Sequence, residues 1–177
     1  TSEEVMPFVY YNVAAGEKIA RVSANMAMAA DMEVRASSTA TTGAYSSACQ
    51  RGLPAILMER GGGGRFTDSE VHAYKRDVKN IMIRMGLLSG EEVHTVQQKN
   101  VTRAEYLEAE TDGLWYPVFS AGDTFAGGAV LGTVRDIWGN LLREYRADYP
   151  GIVLYQTVGL GVKTGDPLIA YGEYADR

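Results

Sequence analysis

The chain has 177 residues, 46% of them hydrophobic and 22% charged, and its 17 Lys and Arg against 22 Asp and Glu give a net charge of −5. That length fits one domain or two small ones with a real core. A mildly acidic chain has no general hold on phosphate backbones, which argues against nucleic acid as a partner.

No apolar run approaches the ~20 residues that span a bilayer, so no membrane role is expected. The N-terminal residues show neither the basic head nor the apolar centre of a signal peptide. The single cysteine, Cys49, excludes an internal disulfide framework and suits a reducing, cytoplasmic setting. The two histidines are few for a catalytic zinc site, which usually takes two or three ligands of that type.

Gly16 to Asp31 places Ile19, Val22, Ser23, Met26, Ala27 and Ala30 on one helical face. Glu33 to Ala36 is a short extended segment. Thr42 to Arg51 is a small-residue helix, stopped by Gly52 and Pro54. Ala55 to Met58 is a continuous apolar run ending at Glu59, which predicts a strand buried on both faces. Gly61 to Gly64 cannot continue regular structure cheaply. Thr67-Asp68-Ser69-Glu70 has capping-box spacing, and the helix it opens aligns Val71, Tyr74, Val78, Ile81, Met82 and Met85 until Gly86.

This pattern predicts an α/β unit over residues 1–95, with a mostly parallel sheet and flanking helices. Residues 96–177 read instead as short β runs punctuated by glycine. Ala121-Gly122-Asp123, leading to Val130-Leu131-Gly132, is echoed by Thr164-Gly165-Asp166, leading to Leu168-Ile169-Ala170-Tyr171-Gly172. A repeated Gly-Asp turn and strand predicts a small all-β barrel or sandwich built from two similar halves. Swinging-arm carriers of the biotinyl or lipoyl type share that outline but present a lysine at the turn between halves. Here the corresponding stretch, Arg135 to Asn140, has none, and Lys163 lies elsewhere.

Among residues able to carry chemistry, Glu59 stands out because it ends the apolar strand beside a glycine-rich turn, where α/β sheets commonly bind ligands. Such a carboxylate suits general acid–base work, and the plain alternative is an ion pair with Arg60 or Arg65. Arg60 and Arg65 are candidates to hold an acidic substrate through guanidinium–carboxylate bonds. The glycine run lacks the Gly-Lys-Ser/Thr ending of a nucleotide loop and more plausibly lets the backbone pass close to a ligand or a helix. His72 and His94 lack the spacing of a helical zinc pair, and Cys49 reads as a core thiol. No metal ligand is expected in the chain.

The stretch Gly52-Leu53-Pro54-Ala55-Ile56-Leu57-Met58-Glu59-Arg60-Gly61-Gly62-Gly63-Gly64-Arg65-Phe66 resembles the succinylglutamate desuccinylase/aspartoacylase family, zinc-dependent amide hydrolases related to the metallocarboxypeptidases. The likeness continues through Val78-Lys79-Asn80-Ile81 and Met85-Gly86-Leu87-Leu88, then through Tyr145 to Val153 and Val162 to Asp166. It implies that Glu59 is the general base and acid of an N-acyl amino acid deacylase, taking a proton from the attacking water and delivering it to the leaving amine. It also implies that the zinc ligands and the family's Asn-Arg substrate motif lie before Thr1. The chain is then the C-terminal portion of a zinc enzyme, binding no catalytic zinc and hydrolysing nothing alone. A homo-oligomer, or association with the N-terminal segment, is expected. The alternative is a non-enzymatic α/β–β module for subunit contacts or small-ligand binding.

Overall fold

A computed structural model describes residues 3–175, which form two compact units. The α/β unit takes residues 7–60, 66–102 and 175, and the β unit takes residues 3–6, 61–65 and 103–174. The division therefore falls between 102 and 103 rather than after 95, and the first strand and the glycine run belong to the β unit.

In the α/β unit, strand β2 (Phe8–Asn12) is followed by α1 (Glu17–Ala29), β3 (Val34–Ser38), α2 (Ala44–Gln50), β4 (Ile56–Glu59) and α3 (Asp68–Arg84), and β5 (Lys99–Glu108) begins here. Strands β2 and β3 are parallel, as are β3 and β5, but β4 runs antiparallel to β2, with Phe8 opposite Glu59 and Tyr11 opposite Ile56. Two of the three pairings in this unit are parallel and one is antiparallel, so its sheet is mixed. β4 lies at its edge and is only half buried, with Leu57 37% exposed, which corrects the expectation of a strand covered on both faces.

Small residues let α1 lie close to the sheet. Ala27 and Ala30 pack with Val9, Tyr11 and Met32, and Ala24, Ile56 and Met58 close the cluster. On the other face Phe8 meets Tyr10 edge-on at 4.8 Å, and Tyr10 stacks on Tyr45 of α2 at 6.5 Å. Helix α3 starts as its sequence dictates. The Thr67 hydroxyl accepts from the Glu70 amide, and the Glu70 carboxylate accepts from the Thr67 amide at 2.6 Å. Its buried side chains, however, are Ala73, Asp77 and Asn80, whereas Val78, Met82 and Met85 are 38–45% exposed. The apolar stripe of α3 is thus only partly covered: Val71, Tyr74 and Ile81 are half buried, while its other three members are exposed.

In the β unit, β1 (Glu3–Val5), β6 (Gly113–Pro117), β7 (Thr124–Phe125), β8 (Val130–Arg135), β9 (Leu141–Arg146), β10 (Gly151–Thr157), β11 (Gly161–Val162) and β12 (Pro167–Tyr174) join the rest of β5. One layer runs β1-β10-β12-β5 with β7 on β10, and the other runs β11-β6-β8-β9. The core between them holds Trp115, Leu131, Val134, Tyr145, Val153, Leu168 and Tyr171.

The echo in the sequence is an echo in the backbone. Gly122 (φ 91°) and Gly165 (φ 89°) occupy equivalent turns. Asp123 accepts from the Ser120 amide just as Asp166 accepts from the Lys163 amide, at 2.8 and 2.7 Å. Each turn is then tied to a strand reciprocally. Gly122 donates to Val153, which donates to Asp123, while Gly165 donates to Ala109, which donates to Asp166. Between the halves, the turn at Asp136 is closed by its own carboxylate, which accepts from the Trp138 and Asn140 amides. Ile137 and Trp138 are thereby left 76% and 83% exposed. Among the described residues no helix is long and apolar enough to cross a membrane.

One position tests the core packing directly. A Cβ on Gly132 would lie 2.2 Å from the Trp115 ring, which is itself only 2% exposed. Gly132→Ala is expected to cost about 1–3 kcal/mol through overpacking, read as a lowered midpoint in urea denaturation followed by circular dichroism.

Candidate functional site

Glu59 occupies the last position of β4 and is partly buried. Side chains alternate across a strand: Ile56 and Met58 pack toward α1, and Leu57 faces away. Glu59 therefore shares the Leu57 side, opposite the fully buried Phe8 in register. Because β4 is antiparallel to β2, this is the end of the sheet where β2 begins. It is the carboxyl end of β4 but not of its parallel neighbours.

Both residues flanking Glu59 are fixed to α3. The Tyr74 hydroxyl donates to the Met58 carbonyl at 3.1 Å. Arg60 turns to the helix side, where Nε donates to Asp77 Oδ2 at 3.0 Å and NH2 lies 2.9 Å from the same oxygen. The Arg60 NH2 also donates to the Asp31 carbonyl at 2.8 Å. The side chains of Arg60 and Asp77 are only 9% and 0% exposed. Arg60, expected from the sequence to hold an acidic substrate, is thus placed as a largely buried cation whose Nε and NH2 groups are bound to the protein. Burial, reinforced by the Glu59 charge, pushes the Tyr74 phenol above its ordinary value and keeps it a hydrogen-bond donor.

The network extends through Asp31, which follows α1. Its amide donates to the second Asp77 oxygen at 2.8 Å. Its own carboxylate accepts from the Thr95 amide and hydroxyl, both at 2.7 Å, from the Val96 amide, and from Arg76 at 2.8 Å. Burial alone would raise the Asp31 carboxyl, but these donors outweigh it and hold it below its ordinary 3.8. Sequence reasoning did not find Asp31, Tyr74, Asp77 or Thr95. The one local signal was the Ala73, Asp77, Asn80 spacing, which marks a second face on α3.

The glycines of the run Gly61–Gly64 have separate reasons, Gly61 taking φ of 83°. Gly62 bridges to Glu4, and a Cβ there would lie 2.8 Å from the Glu3 carbonyl. Gly63 and Gly64 take φ of 59° and 68°, and the Arg65 amide closes the turn on the Gly62 carbonyl at 3.1 Å, a type I′ hairpin. The backbone thus passes close to a strand, not to a helix. Arg65 belongs to this hairpin in the β unit and is exposed.

His72 is exposed, with Nδ1 against the Asp68 carbonyl, and His94 lies 2.9 Å from Glu92, which is also bound by Arg84. Cys49 is a buried thiol between Ser23 and the Ala55 carbonyl. Among the described residues no three His, Cys, Asp or Glu side chains converge to hold a metal ion. The donor set near Glu59 therefore does not fit a zinc centre.

No family model matches the sequence. The chain is 27% identical over 127 residues to N-alpha-acetyl-L-2,4-diaminobutyric acid deacetylase of Halomonas elongata, covering 68% of this chain and 37% of that protein. It superposes on the product-bound ectoine utilization protein EutE (DoeB) of Ruegeria pomeroyi with a TM-score of 0.84 and 22% identity, covering 96% of this chain and 54% of that one. On the succinylglutamate desuccinylase/aspartoacylase of Rhodobacter sphaeroides the TM-score is 0.83 at 22% identity, with 98% and 55% covered.

The fold is that of the succinylglutamate desuccinylase/aspartoacylase proteins. The chain spans about half the length of these structures and 37% of the deacetylase.

A buried carboxylate with four donors makes a pH prediction. The folded value of Asp31 is depressed, so its stabilisation is complete above the ordinary 3.8 and is lost as pH falls through the folded value. Asp31→Asn should lose roughly 1–3 kcal/mol at pH 7. The gap to the unmutated protein should narrow on acidification below pH 4, as read by urea midpoints across pH.

Proposed function

We propose that the chain is the C-terminal portion of a zinc-dependent amide hydrolase that deacylates N-acyl amino acids, with Glu59 as general base and acid. The observation that carries this reading is the 27% identity to a deacetylase of an N-acetylated amino acid. The position of Glu59 supports it: a partly buried carboxylate at a strand end whose neighbours on both sides are pinned. Zinc, on this reading, is held by ligands within the part of the relatives' length that this chain does not span, where it supplies Lewis-acid polarisation of the amide.

The chain's own contribution is a proton carrier of fixed position. Glu59 accepts a proton as water attacks and returns it to the departing amine, so that a poor leaving group departs neutral. Arg65, exposed on the glycine hairpin, and Arg60 are the candidates for holding an acidic substrate group. A cytoplasmic setting fits the single buried thiol. Self-association, or association with the rest of the enzyme, is also expected, and a compact monomer in sedimentation would count against it.

Two measurements test the assignment. In the enzyme carrying this chain together with its metal ligands, Glu59→Gln should lower kcat on N-acetylated amino acids by about 10²–10⁴-fold. Zinc titrated into the 177-residue chain alone should show no stoichiometric submicromolar binding. A Glu59→Gln enzyme of undiminished kcat would overturn the catalytic role, and tight zinc binding with Glu59-dependent amidase activity in the chain alone would overturn its status as a portion.

A further inference from the structure

We propose that Tyr74 is a positioning residue for Glu59: its hydroxyl, by donating to the Met58 carbonyl, ties the end of β4 to α3 and so fixes the place from which the Glu59 side chain acts. The inference rests on the assignment of Glu59 as the proton carrier.

The problem it answers is one of backbone freedom. Strand β4 has four residues and, among the described residues, pairs with β2 alone. Short edge strands open readily, because few ladder bonds hold them. Beyond Glu59 come Arg60 and then a glycine run in which Gly61, Gly63 and Gly64 take positive φ. Glu59 therefore stands between a strand end prone to fray and a permissive stretch of backbone. A catalytic group displaced by ~1 Å can lose on the order of 10²-fold in rate.

Tyr74 supplies a tie at that junction from outside the sheet. It sits in the second turn of α3, a helix whose start is fixed by the Thr67–Glu70 box. Its hydroxyl donates to the Met58 carbonyl at 3.1 Å. Its ring centroid lies 6.0 Å from the Arg60 guanidinium, at the limit of cation–π range. The Glu59 charge raises its phenol, while the Arg60 amide and guanidinium act the other way. One half-buried side chain thus lies against three consecutive residues, with Glu59 in the middle. The tie is to the main chain, so it sets where the Glu59 side chain begins, whatever group its carboxylate meets.

The test is a two-by-two kinetic cycle in the enzyme carrying this chain together with its metal ligands. Tyr74→Phe keeps the ring and removes the donor. It should lower kcat on N-acetylated amino acids about tenfold, with KM unchanged within about twofold. In the Glu59→Gln background the same substitution should change the residual kcat by less than about twofold. A residue that acts through the Glu59 carboxylate has nothing to place once that carboxylate is gone.

Should Tyr74→Phe fail to fold, 4-fluorophenylalanine at position 74 fills the space of the hydroxyl without donating, and the cycle is read in the same way. An unchanged kcat in the folded variant overturns the proposal. So does an equal fall in both backgrounds, which is what a purely structural Tyr74 would give. A lower melting temperature accompanies either role, which is why the cycle decides between them. Failure of the catalytic reading would appear separately, as a Glu59→Gln enzyme that still deacylates at full rate.

Discussion

The α/β unit depends on one buried ion pair, Arg60 with Asp77. Two charges removed from water cost several kcal/mol each, and the pair is tolerable only when the remaining hydrogen-bonding capacity is also met. Here the second Asp77 oxygen takes the Asp31 amide, and the Arg60 NH2 takes the Asp31 carbonyl. The same residue thus closes both ends of the pair through its backbone. The Asp31 side chain meanwhile binds Thr95, Val96 and Arg76. The end of β4, the end of α1, the middle of α3 and the segment before β5 are consequently fixed to one another by polar contacts in addition to the apolar packing of α1 against β4.

That arrangement explains why α3 faces the way it does. Period-3.6 patterning identifies the apolar stripe through Val71, Tyr74, Val78, Ile81, Met82 and Met85, and a stripe of this kind ordinarily points inward, yet only Val71, Tyr74 and Ile81 are half buried. The face that is buried instead carries Asp77 and Asn80, whose amide and carbonyl groups exchange bonds with Val93. A polar face goes inside when every one of its groups finds a partner. Those partners lie 13 to 46 residues away, so no local window reveals them.

What was legible in the sequence follows the same line. The Thr67–Glu70 box, the bounds of the helices, the Gly-Asp echo and the break in regular structure at the glycine run are short-range features, and short-range chemistry writes them. The direction of β4 was not legible, because an apolar run carries no mark of parallel or antiparallel pairing. Its edge position was hidden for the same reason. Glu59 was recognisable from its place at a strand end before a glycine run. The inward course of Arg60 was not, because the carboxylate that captures it sits seventeen residues downstream. In the β unit, by contrast, the two turns at Asp123 and Asp166 repeat bond for bond, so a pattern read along the chain coincided with one in space.

The two tryptophans have a practical meaning for anyone observing this molecule in solution. Both indoles lie in the β unit, Trp115 shut inside it at 2% exposure and Trp138 held out on its hairpin at 83%. Excited at the red edge of the near-ultraviolet band, the protein emits from a sheltered source and a wetted one, with the wetted one alone open to a dissolved quencher such as iodide. The α/β unit, with Glu59 in it, contributes no indole to that light, so tryptophan emission follows the melting of one half of the molecule and leaves the other dark.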